Sequence, residues 1–169
     1  MTMIRNKNKL AIVTGGSEGI GAALVEELLS KNFSVVAISR SEIKLKKLKS
    51  KLSNYGNYLR TFRADVTDSK KLKNIAEHIK APDLLILNAG VYRPVTIENF
   101  DIDIFKLHNE VNYMGVINSF DAFIKKMLDN KRRSILIMSS VAGWIGLPKA
   151  SAYSPTKASL RSFAQSIRY

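Results

Sequence analysis

The sequence has 169 residues, the size of one ordinary domain, and 46% of them are hydrophobic, which is enough to build a packed core. It contains no cysteine, which excludes disulfides, thiol catalysis and cysteine-bound metals. The formal net charge of +13 favours an anionic partner, and nucleic acid, a membrane surface and a phosphate-bearing small molecule all stay open at this point.

Short apolar runs alternate with amphipathic stretches along the chain. The runs predict β-strands, and the stretches, whose apolar residues recur every three or four positions, predict helices. The last helix begins close to Tyr153, because Pro155 is tolerated only in a first helical turn. The predicted strands lie at 10–13, 33–38, 58–64, 84–87 and 134–138, and the predicted helices at 19–31, 42–52, around 72–79, at 100–129 and from about 153 onwards.

This alternation of strands and helices predicts the fold class. The strands are continuous apolar runs, which is typical of a parallel sheet covered on both faces. We therefore predict a doubly wound α/β fold with helices on both faces. The prediction treats residues 1–169 as one domain, since we find no repeat, low-complexity tract or linker.

A glycine-rich turn lies between the first strand and the first helix. Gly15, Gly19 and Gly21 fall in this turn. Glycine allows unusual backbone angles and a close approach of the backbone to a pyrophosphate, and the helix N-terminus offers free N–H groups to the anion. No Gly-Lys-Ser/Thr sequence follows, which disfavours a nucleoside triphosphatase. The turn therefore predicts a dinucleotide site.

The second strand ends in Ser39-Arg40, where such a fold holds the adenosine ribose. An arginine there pairs with a 2′-phosphate, which an aspartate would repel, so we predict NADP(H) in preference to NAD(H). The next helix is rich in lysine, and we interpret it as a solvated face whose field helps to attract the phosphate. Nucleic-acid binding is the alternative, disfavoured because these lysines have no interleaved aromatic residues and match no recognised motif. The lysines are Lys44, Lys46, Lys47, Lys49 and Lys51.

Tyr153 and Lys157 lie four residues apart at the start of the last helix and therefore share a face. A free phenol, with a pKa of about 10, is a poor acid–base catalyst at neutral pH, but a nearby ammonium lowers such a pKa. The pair is thereby suited to give a proton to a carbonyl oxygen or to take one from an alcohol. Because this spacing is common on helix surfaces, the rest of the pattern decides its meaning.

Three motifs follow the predicted strands in order: Thr-Gly-Gly-Ser-Glu-Gly-Ile-Gly at 14–21, Asp65-Val66, and Asn88-Ala89-Gly90. They resemble the cofactor loop, the adenine-contacting pair and the Asn-Ala-Gly motif of the classical short-chain dehydrogenase/reductase family, and Ser39-Arg40 resembles its NADP-preferring members. The resemblance implies that the cofactor is bound by Gly15, Ser17, Glu18, Gly19, Ile20, Gly21, Ser39, Arg40, Asp65, Val66, Asn88, Ala89, Gly90, Tyr153 and Lys157.

Asn112, Ser140, Tyr153 and Lys157 occur in the order and with the spacing of that family's catalytic residues. The resemblance implies that Tyr153 is the general acid/base and that Lys157 lowers its pKa and holds the nicotinamide ribose. It implies that Ser140 hydrogen-bonds the substrate oxygen and that Asn112 anchors a water of the proton relay. The expected reaction is reversible hydride transfer between NADP(H) and a carbonyl or alcohol substrate. Glu18 departs from the family pattern, in which many NADP-preferring members carry a basic residue in the loop.

The resemblance also implies a Rossmann-type sheet of strand order 3-2-1-4-5 with the family's last strands missing. We expect the strand at 134–138 to be an exposed apolar edge, because no later strand in this sequence pairs with it. The sequence is therefore interpreted as C-terminally truncated. The alternative to an active enzyme is an inactive nucleotide- or partner-binding fragment.

The candidate pocket residues are Val91, Tyr92 and Arg93 after the fourth predicted strand, and Trp144, Ile145 and Leu147 after the predicted catalytic serine. They indicate a small-molecule substrate with an apolar face. The alternative is that Trp144 and Leu147 pack the loop that carries them. By analogy with the family, a homodimer or tetramer is expected. We expect no nucleic acid as a partner.

The sequence gives no sign of a membrane segment or of a metal site. The longest aliphatic runs, such as 84–87, are too short to cross a bilayer, and no apolar stretch follows the N-terminal charges. We therefore expect a cytoplasmic protein without a membrane partner. His78 and His108 lack a metal-ligand spacing and are predicted to be surface or structural residues.

Overall fold

The computed structural model describes residues 9–128 and 133–168. Five parallel strands form one sheet in the order β3-β2-β1-β4-β5, which confirms the predicted fold class and strand order. The strands are β1 (Leu10–Thr14), β2 (Ser34–Ser39), β3 (Leu59–Arg63), β4 (Leu84–Leu87) and β5 (Ser134–Ile137).

In the part of the chain that the structure describes, six α-helices surround the sheet. Each predicted helix is present, and the one predicted over 100–129 is divided into two. Helices α1 and α2 cover one face, and α3, α5 and α6 cover the other. The helices are α1 (Gly19–Ser30), α2 (Glu42–Lys51), α3 (Ser69–Glu77), α4 (Ile102–His108), α5 (Gly115–Leu128) and α6 (Ser154–Ser166). Short 3₁₀ segments occupy Ser53–Tyr58 and Val141–Gly143.

The sheet is buried because its central strands carry aliphatic side chains toward both faces. On one face Ile12 of β1 lies in register with Val36 of β2 and Leu85 of β4, and all three are fully buried. Phe123 of α5 and Leu160 of α6 pack in the same cluster. Burial of such side chains, at about 1.5–3 kcal/mol each, dominates the stability of a sheet of this kind.

The predicted helix over 100–129 differs from the structure in one respect. Between α4 and α5 the chain forms a π-helical segment, Asn109–Met114, which carries Asn112 into the interior. Such π-turns insert one extra residue per turn and occur frequently at functional sites. The apolar periodicity continues through the segment, so it could not be distinguished from α-helix in the sequence.

Strand β5 forms one edge of the sheet that the described residues build. Its residues are exposed or half-buried, and Leu136 is 39% exposed, in agreement with the expectation of an apolar edge. Within 9–128 and 133–168 no helix is long and apolar enough to cross a membrane.

The strand order determines where in the fold a ligand site is expected. In a parallel sheet all carboxyl ends lie at one edge, and a crevice opens where the crossovers leave in opposite directions. Here that point lies between β1 and β4, since β2 and β3 extend to one side and β5 to the other.

Candidate active site

A cleft of about 280 Å³ lies at the switch point between β1 and β4. Of the residues expected to bind a cofactor, all line this cleft except Gly19, Tyr153 and Lys157. The lining also includes apolar residues outside the predicted cofactor set, one of which, Val91, was predicted as a substrate-pocket residue. They are Ile38, Ala64, Val91 and Val111.

The glycine loop packs directly on the residues that follow β4. Gly15 has φ +65°, and a Cβ there would lie 2.8 Å from the Cα of Ala89. A Cβ on Gly21 would lie 2.1 Å from the carbonyl oxygen of Gly15, closer than real atoms approach. Both positions therefore require glycine, because any side chain would push the loop away from β4 and deform the floor of the cleft.

Thr14 fastens this contact. Its buried Oγ1 accepts hydrogen bonds from the backbone N–H of Asn88 (3.0 Å) and of Ala89 (3.2 Å). Asn88 Nδ2 in turn donates to the carbonyl oxygen of Thr14 at 3.1 Å. Thr14 was not predicted as a site residue, although its place immediately before the glycines was a usable signal.

One end of the cleft is positively charged. Arg40 is exposed at the end of β2 and makes no ion pair with any carboxylate in residues 9–128 or 133–168. Ser17 Oγ donates to Ser39 Oγ at 2.7 Å, which ties the glycine loop to the end of β2. An unpaired guanidinium beside a glycine-lined cleft fits a phosphorylated nucleotide such as NADP(H).

Glu18 and Lys44 form an ion pair at this same end. Lys44 Nζ lies 2.6 Å from Oε1 and from Oε2 of Glu18. Lys44 lies on the solvated, lysine-rich face that was predicted for this helix, and it also pairs with Glu18, a contact that was not predicted. The two side chains are 26 positions apart, so no local pattern indicated the pair.

Lys157 is buried at the other end of the site. Its Nζ donates to the carbonyl oxygen of Met138 at 2.8 Å and lies 5.5 Å from the ring centroid of Tyr153. Only 3% of the residue is exposed, and this burial lowers the pKa of Lys157 from 10.5 to about 8. A Cβ on Gly90 would lie 3.7 Å from this Nζ, so the ammonium reaches the floor of the cleft.

The half-buried Tyr153 ring is held between two aromatic side chains. It packs edge-on against Tyr92, with centroids 5.2 Å apart, and against His108, at 6.1 Å. Such edge contacts add about 0.5–1.5 kcal/mol beyond burial and restrict ring orientation. The phenol is thereby held in place beside Lys157.

His108 is fully buried, as a structural residue. Its Nδ1 lies 2.7 Å from the carbonyl oxygen of Ile104 and its Nε2 lies 3.0 Å from the backbone N of Arg93. Since a carbonyl accepts and a backbone N–H donates, the proton is on Nδ1 and the ring is neutral. His108 thus fastens the segment after β4 to α4, while His78 is exposed on α3.

The side-chain amide of Asn112 forms hydrogen bonds with the segment that follows β4. Its Oδ1 accepts from the backbone N–H of Val91 at 2.7 Å, and its Nδ2 donates to the carbonyl oxygen of Val91 at 2.9 Å. The residue is fully buried on the π-helical segment. These contacts give Asn112 a structural function next to Gly90, in addition to the function that the resemblance implies.

Ser140 lies at the carboxyl end of β5 and caps the 3₁₀ segment Val141–Gly143. Its Oγ accepts a hydrogen bond from the backbone N–H of Ala142 at 3.2 Å. Because this contact uses the oxygen as an acceptor, the hydroxyl proton remains available for donation to another oxygen. Ser139 Oγ donates to the carbonyl oxygen of Lys157 at 3.0 Å and so joins β5 to α6.

An apolar rim borders the catalytic end. Trp144 is 69% exposed and its ring stacks 4.2 Å from the Arg161 guanidinium, so it does not pack into the loop that carries it. A separate apolar groove includes Lys149, whose carbonyl oxygen accepts hydrogen bonds from the backbone N–H of Val95 and from the hydroxyl of Tyr92. The groove is lined by Val95, Thr96, Ile97, Phe100, Phe105, Leu147, Lys149 and Ser151.

Comparison with known proteins gives concordant matches. A family model described as short chain dehydrogenase matches residues 9–169. The chain is 30% identical to 2,3-dihydro-2,3-dihydroxybenzoate dehydrogenase of Bacillus subtilis, covering 95% of this chain and 63% of that protein. It is also 30% identical to 3-dehydrosphinganine reductase of Danio rerio, and that match covers 93% of this chain and 50% of the Danio rerio protein. The chain thus spans about half to two thirds of the length of these relatives.

Solved structures with the same fold are also found. The apo form of LigO from Sphingobium sp. strain SYK-6 superposes with a TM-score of 0.90 at 26% identity, over 98% of this chain and 64% of that chain. The sheet order is therefore that of a solved fold.

The burial of Lys157 can be tested by the pH dependence of the free energy of unfolding. Folding lowers the pKa of Lys157 from 10.5 to about 8. Below about pH 8 the side chain is therefore protonated in both the folded and the unfolded state, and the buried charge destabilises the folded state. Between pH 8 and 10.5 the unfolded state holds more protons, and the stability of the wild type rises. We expect its free energy of unfolding to increase by about 2 kcal/mol relative to Lys157→Met across this window, measured by urea denaturation. Exposed Lys47→Met is the control, and an equal pH trend in both variants would contradict the assignment.

His108 generates a second test. We expect His108→Ala to lower the free energy of unfolding by about 2–4 kcal/mol, because it leaves a cavity and removes the side-chain hydrogen bonds to the backbone of Arg93 and Ile104. His78→Ala is the matched control on an exposed site, with a change of about 0.5 kcal/mol or less. Denaturant titration of both variants compares them directly, and equal losses would show that His108 does not fasten this segment.

Proposed function

The chain belongs to the short-chain dehydrogenase family, and on that premise we propose that it catalyses reversible hydride transfer between NADP(H) and a carbonyl or alcohol substrate. One observation carries the proposal. Lys157 Nζ, buried beside the Tyr153 ring, reaches the same Gly90 that forms the floor of the nucleotide-type cleft. A proton-transfer group and a dinucleotide site therefore meet at one point.

The proposed chemistry assigns one task to each side chain. A nicotinamide cofactor held in the cleft by the backbone around Gly15, Gly21 and Gly90 would supply the hydride, with its two electrons, for reduction of a carbonyl carbon. Tyr153 gives its phenolic proton to the oxygen, which becomes the alcohol hydroxyl. Ser140 donates a hydrogen bond to that oxygen as negative charge develops, and the Lys157 ammonium stabilises the phenolate that remains. Oxidation of an alcohol runs through the same groups in reverse.

The preference for NADP(H) rests on Arg40. The guanidinium lines the cleft and has no carboxylate partner among the residues that the structure describes. A 2′-phosphate offers it a bidentate, charge-assisted contact, whereas a bare ribose hydroxyl does not. Glu18 lies on the same wall and would oppose the phosphate, but Lys44 neutralises its carboxylate.

The substrate is proposed to present an apolar face. The exposed side chains of Trp144 and Ile145 offer apolar surface on the segment that follows Ser140, and Tyr92, which packs on Tyr153, also contacts Lys149 of the apolar groove. The groove is lined mostly by apolar side chains, against which a charged group would lose hydration. The Danio rerio relative is named for reduction of 3-dehydrosphinganine, which supports an aliphatic substrate.

Replacement of Tyr153 tests the proposed reaction. We expect Tyr153→Phe to lower kcat by at least about 10²-fold, because the ring keeps its packing but loses the transferable proton. Consumption of NADPH is followed with a panel of aliphatic ketones, aromatic aldehydes and charged keto acids. Tyr92→Phe is the control, as it keeps the aromatic contact with Tyr153. A purified, folded protein that binds NADPH but reduces none of these compounds would favour a non-catalytic nucleotide-binding function.

Replacement of Arg40 tests the cofactor preference. We expect Arg40→Asp to weaken NADPH binding by about 10-fold or more and to shift preference toward NADH, because a carboxylate repels the 2′-phosphate. Dissociation constants for both cofactors are measured by fluorescence titration. Arg63→Asp, at the end of the neighbouring strand β3, is the control for a change of surface charge. Unchanged affinity for NADPH in Arg40→Asp would place the phosphate site elsewhere.

A further inference from the structure

The Glu18–Lys44 ion pair connects two elements at the adenosine end of the cleft. Glu18 is the N-cap residue of α1 and lines the cleft, and Lys44 lies in the first turn of α2. Ser41 fixes that turn, since its Oγ accepts a hydrogen bond from the backbone N–H of Lys44 at 3.3 Å. The ammonium is therefore held over a residue of the cleft wall by a defined local structure.

The pair differs from the other ion pairs of α2. Lys46 pairs with Glu42 on its own helix, and Lys51 pairs with Glu26 outside the cleft. Among the ion pairs of the described residues, the Lys44 pair alone involves a residue that lines the cleft.

The contact is also easily exchanged. The side chains of Lys44 and Glu18 are 48% and 64% exposed, and exposed pairs of this kind stabilise a fold by about 0–1 kcal/mol. A phosphate monoester carries a charge of about −1.5 to −2 and three acceptor oxygens, more than a single carboxylate offers. Lys44 thus loses little when it shares its N–H donors between Glu18 and a phosphate, which is the stronger partner.

We propose that Lys44 is a specificity-determining residue for the adenosine 2′-phosphate. When the phosphorylated cofactor binds, the Lys44 ammonium lies between the Glu18 carboxylate and the phosphate, so it donates to the phosphate and still shields the phosphate from Glu18. In this arrangement Arg40 and Lys44 form the phosphate site together, and Glu18 holds Lys44 in the absence of the cofactor. The proposal rests on the proposed preference for NADP(H).

Two small probes isolate the phosphate from the rest of the cofactor. Adenosine 2′,5′-bisphosphate and adenosine 5′-monophosphate differ only by the 2′-phosphate, and their ratio of dissociation constants, measured by calorimetry at low salt, reports on that group without requiring turnover. We expect Lys44→Gln to reduce this ratio about tenfold, because it removes one cation and leaves the Glu18 carboxylate unneutralised. Affinity for the monophosphate should change less than twofold.

Glu18→Gln separates the attraction of the phosphate to Lys44 from its repulsion by the Glu18 carboxylate. Without a competing carboxylate, Lys44 is free for the phosphate, so binding of the bisphosphate should tighten severalfold. In the double variant Glu18→Gln/Lys44→Gln, loss of preference should be smaller than in Lys44→Gln alone, since no bare carboxylate remains. Lys47→Gln, on the same helix, is the matched control and should leave the ratio unchanged.

The outcomes distinguish this inference from the cofactor assignment. If Arg40→Asp abolishes the preference for the bisphosphate while Lys44→Gln behaves like Lys47→Gln, the role of Lys44 is wrong and the cofactor assignment stands. If neither Arg40→Asp nor Lys44→Gln changes the ratio, the 2′-phosphate does not bind here and both are wrong. Equal weakening of both probes by Lys44→Gln would also overturn the inference, because it would reflect loss of loop structure.

Discussion

The contact between the glycine loop and the turn after β4 is the constraint on which the rest of the site depends. The Gly15 backbone lies against Ala89, and the Thr14 hydroxyl accepts two N–H groups from the same turn. Because these contacts join the two strands that flank the switch point, they set the depth of the cleft. They also fix where Gly90 lies, and Gly90 is the point that Lys157 and Asn112 approach from other elements.

The catalytic end is built from segments that meet only in three dimensions. The segment after β4 is held by Asn112 from one side and by His108 from the other, and α6 brings Tyr153 and Lys157 against it. Each anchor is buried and fully hydrogen-bonded, which makes the position of the phenol a property of the packed core. The cost is a buried ammonium, whose lowered pKa shows that this arrangement is not the one that stability alone would select.

The sequence predicted those parts of the molecule that depend on local pattern. The strands were recognisable as continuous aliphatic runs, and the cofactor loop and the Tyr153–Lys157 pair by short spacings that a helix or turn must satisfy. Contacts between distant positions were not accessible in this way. The pairing of Lys44 with Glu18 and the fastening of Arg93 by His108 depend on how helices lie on the sheet, and no periodicity records that. The exposure of Trp144 likewise follows from the path of a loop, which composition does not determine.

The separation between the two ends of the cleft has an evolutionary consequence. Arg40 and Lys44 lie at the end of β2 and the start of α2, and neither has a hydrogen bond or ion pair with Tyr153, Lys157 or the segment that holds them among the described residues. Substitutions at this end of the cleft can therefore accumulate without disturbing the packing around Tyr153. On the proposed function, a lineage built on this scaffold exchanges its preferred electron donor by a few surface mutations, while the groups proposed to act on the substrate are inherited unchanged.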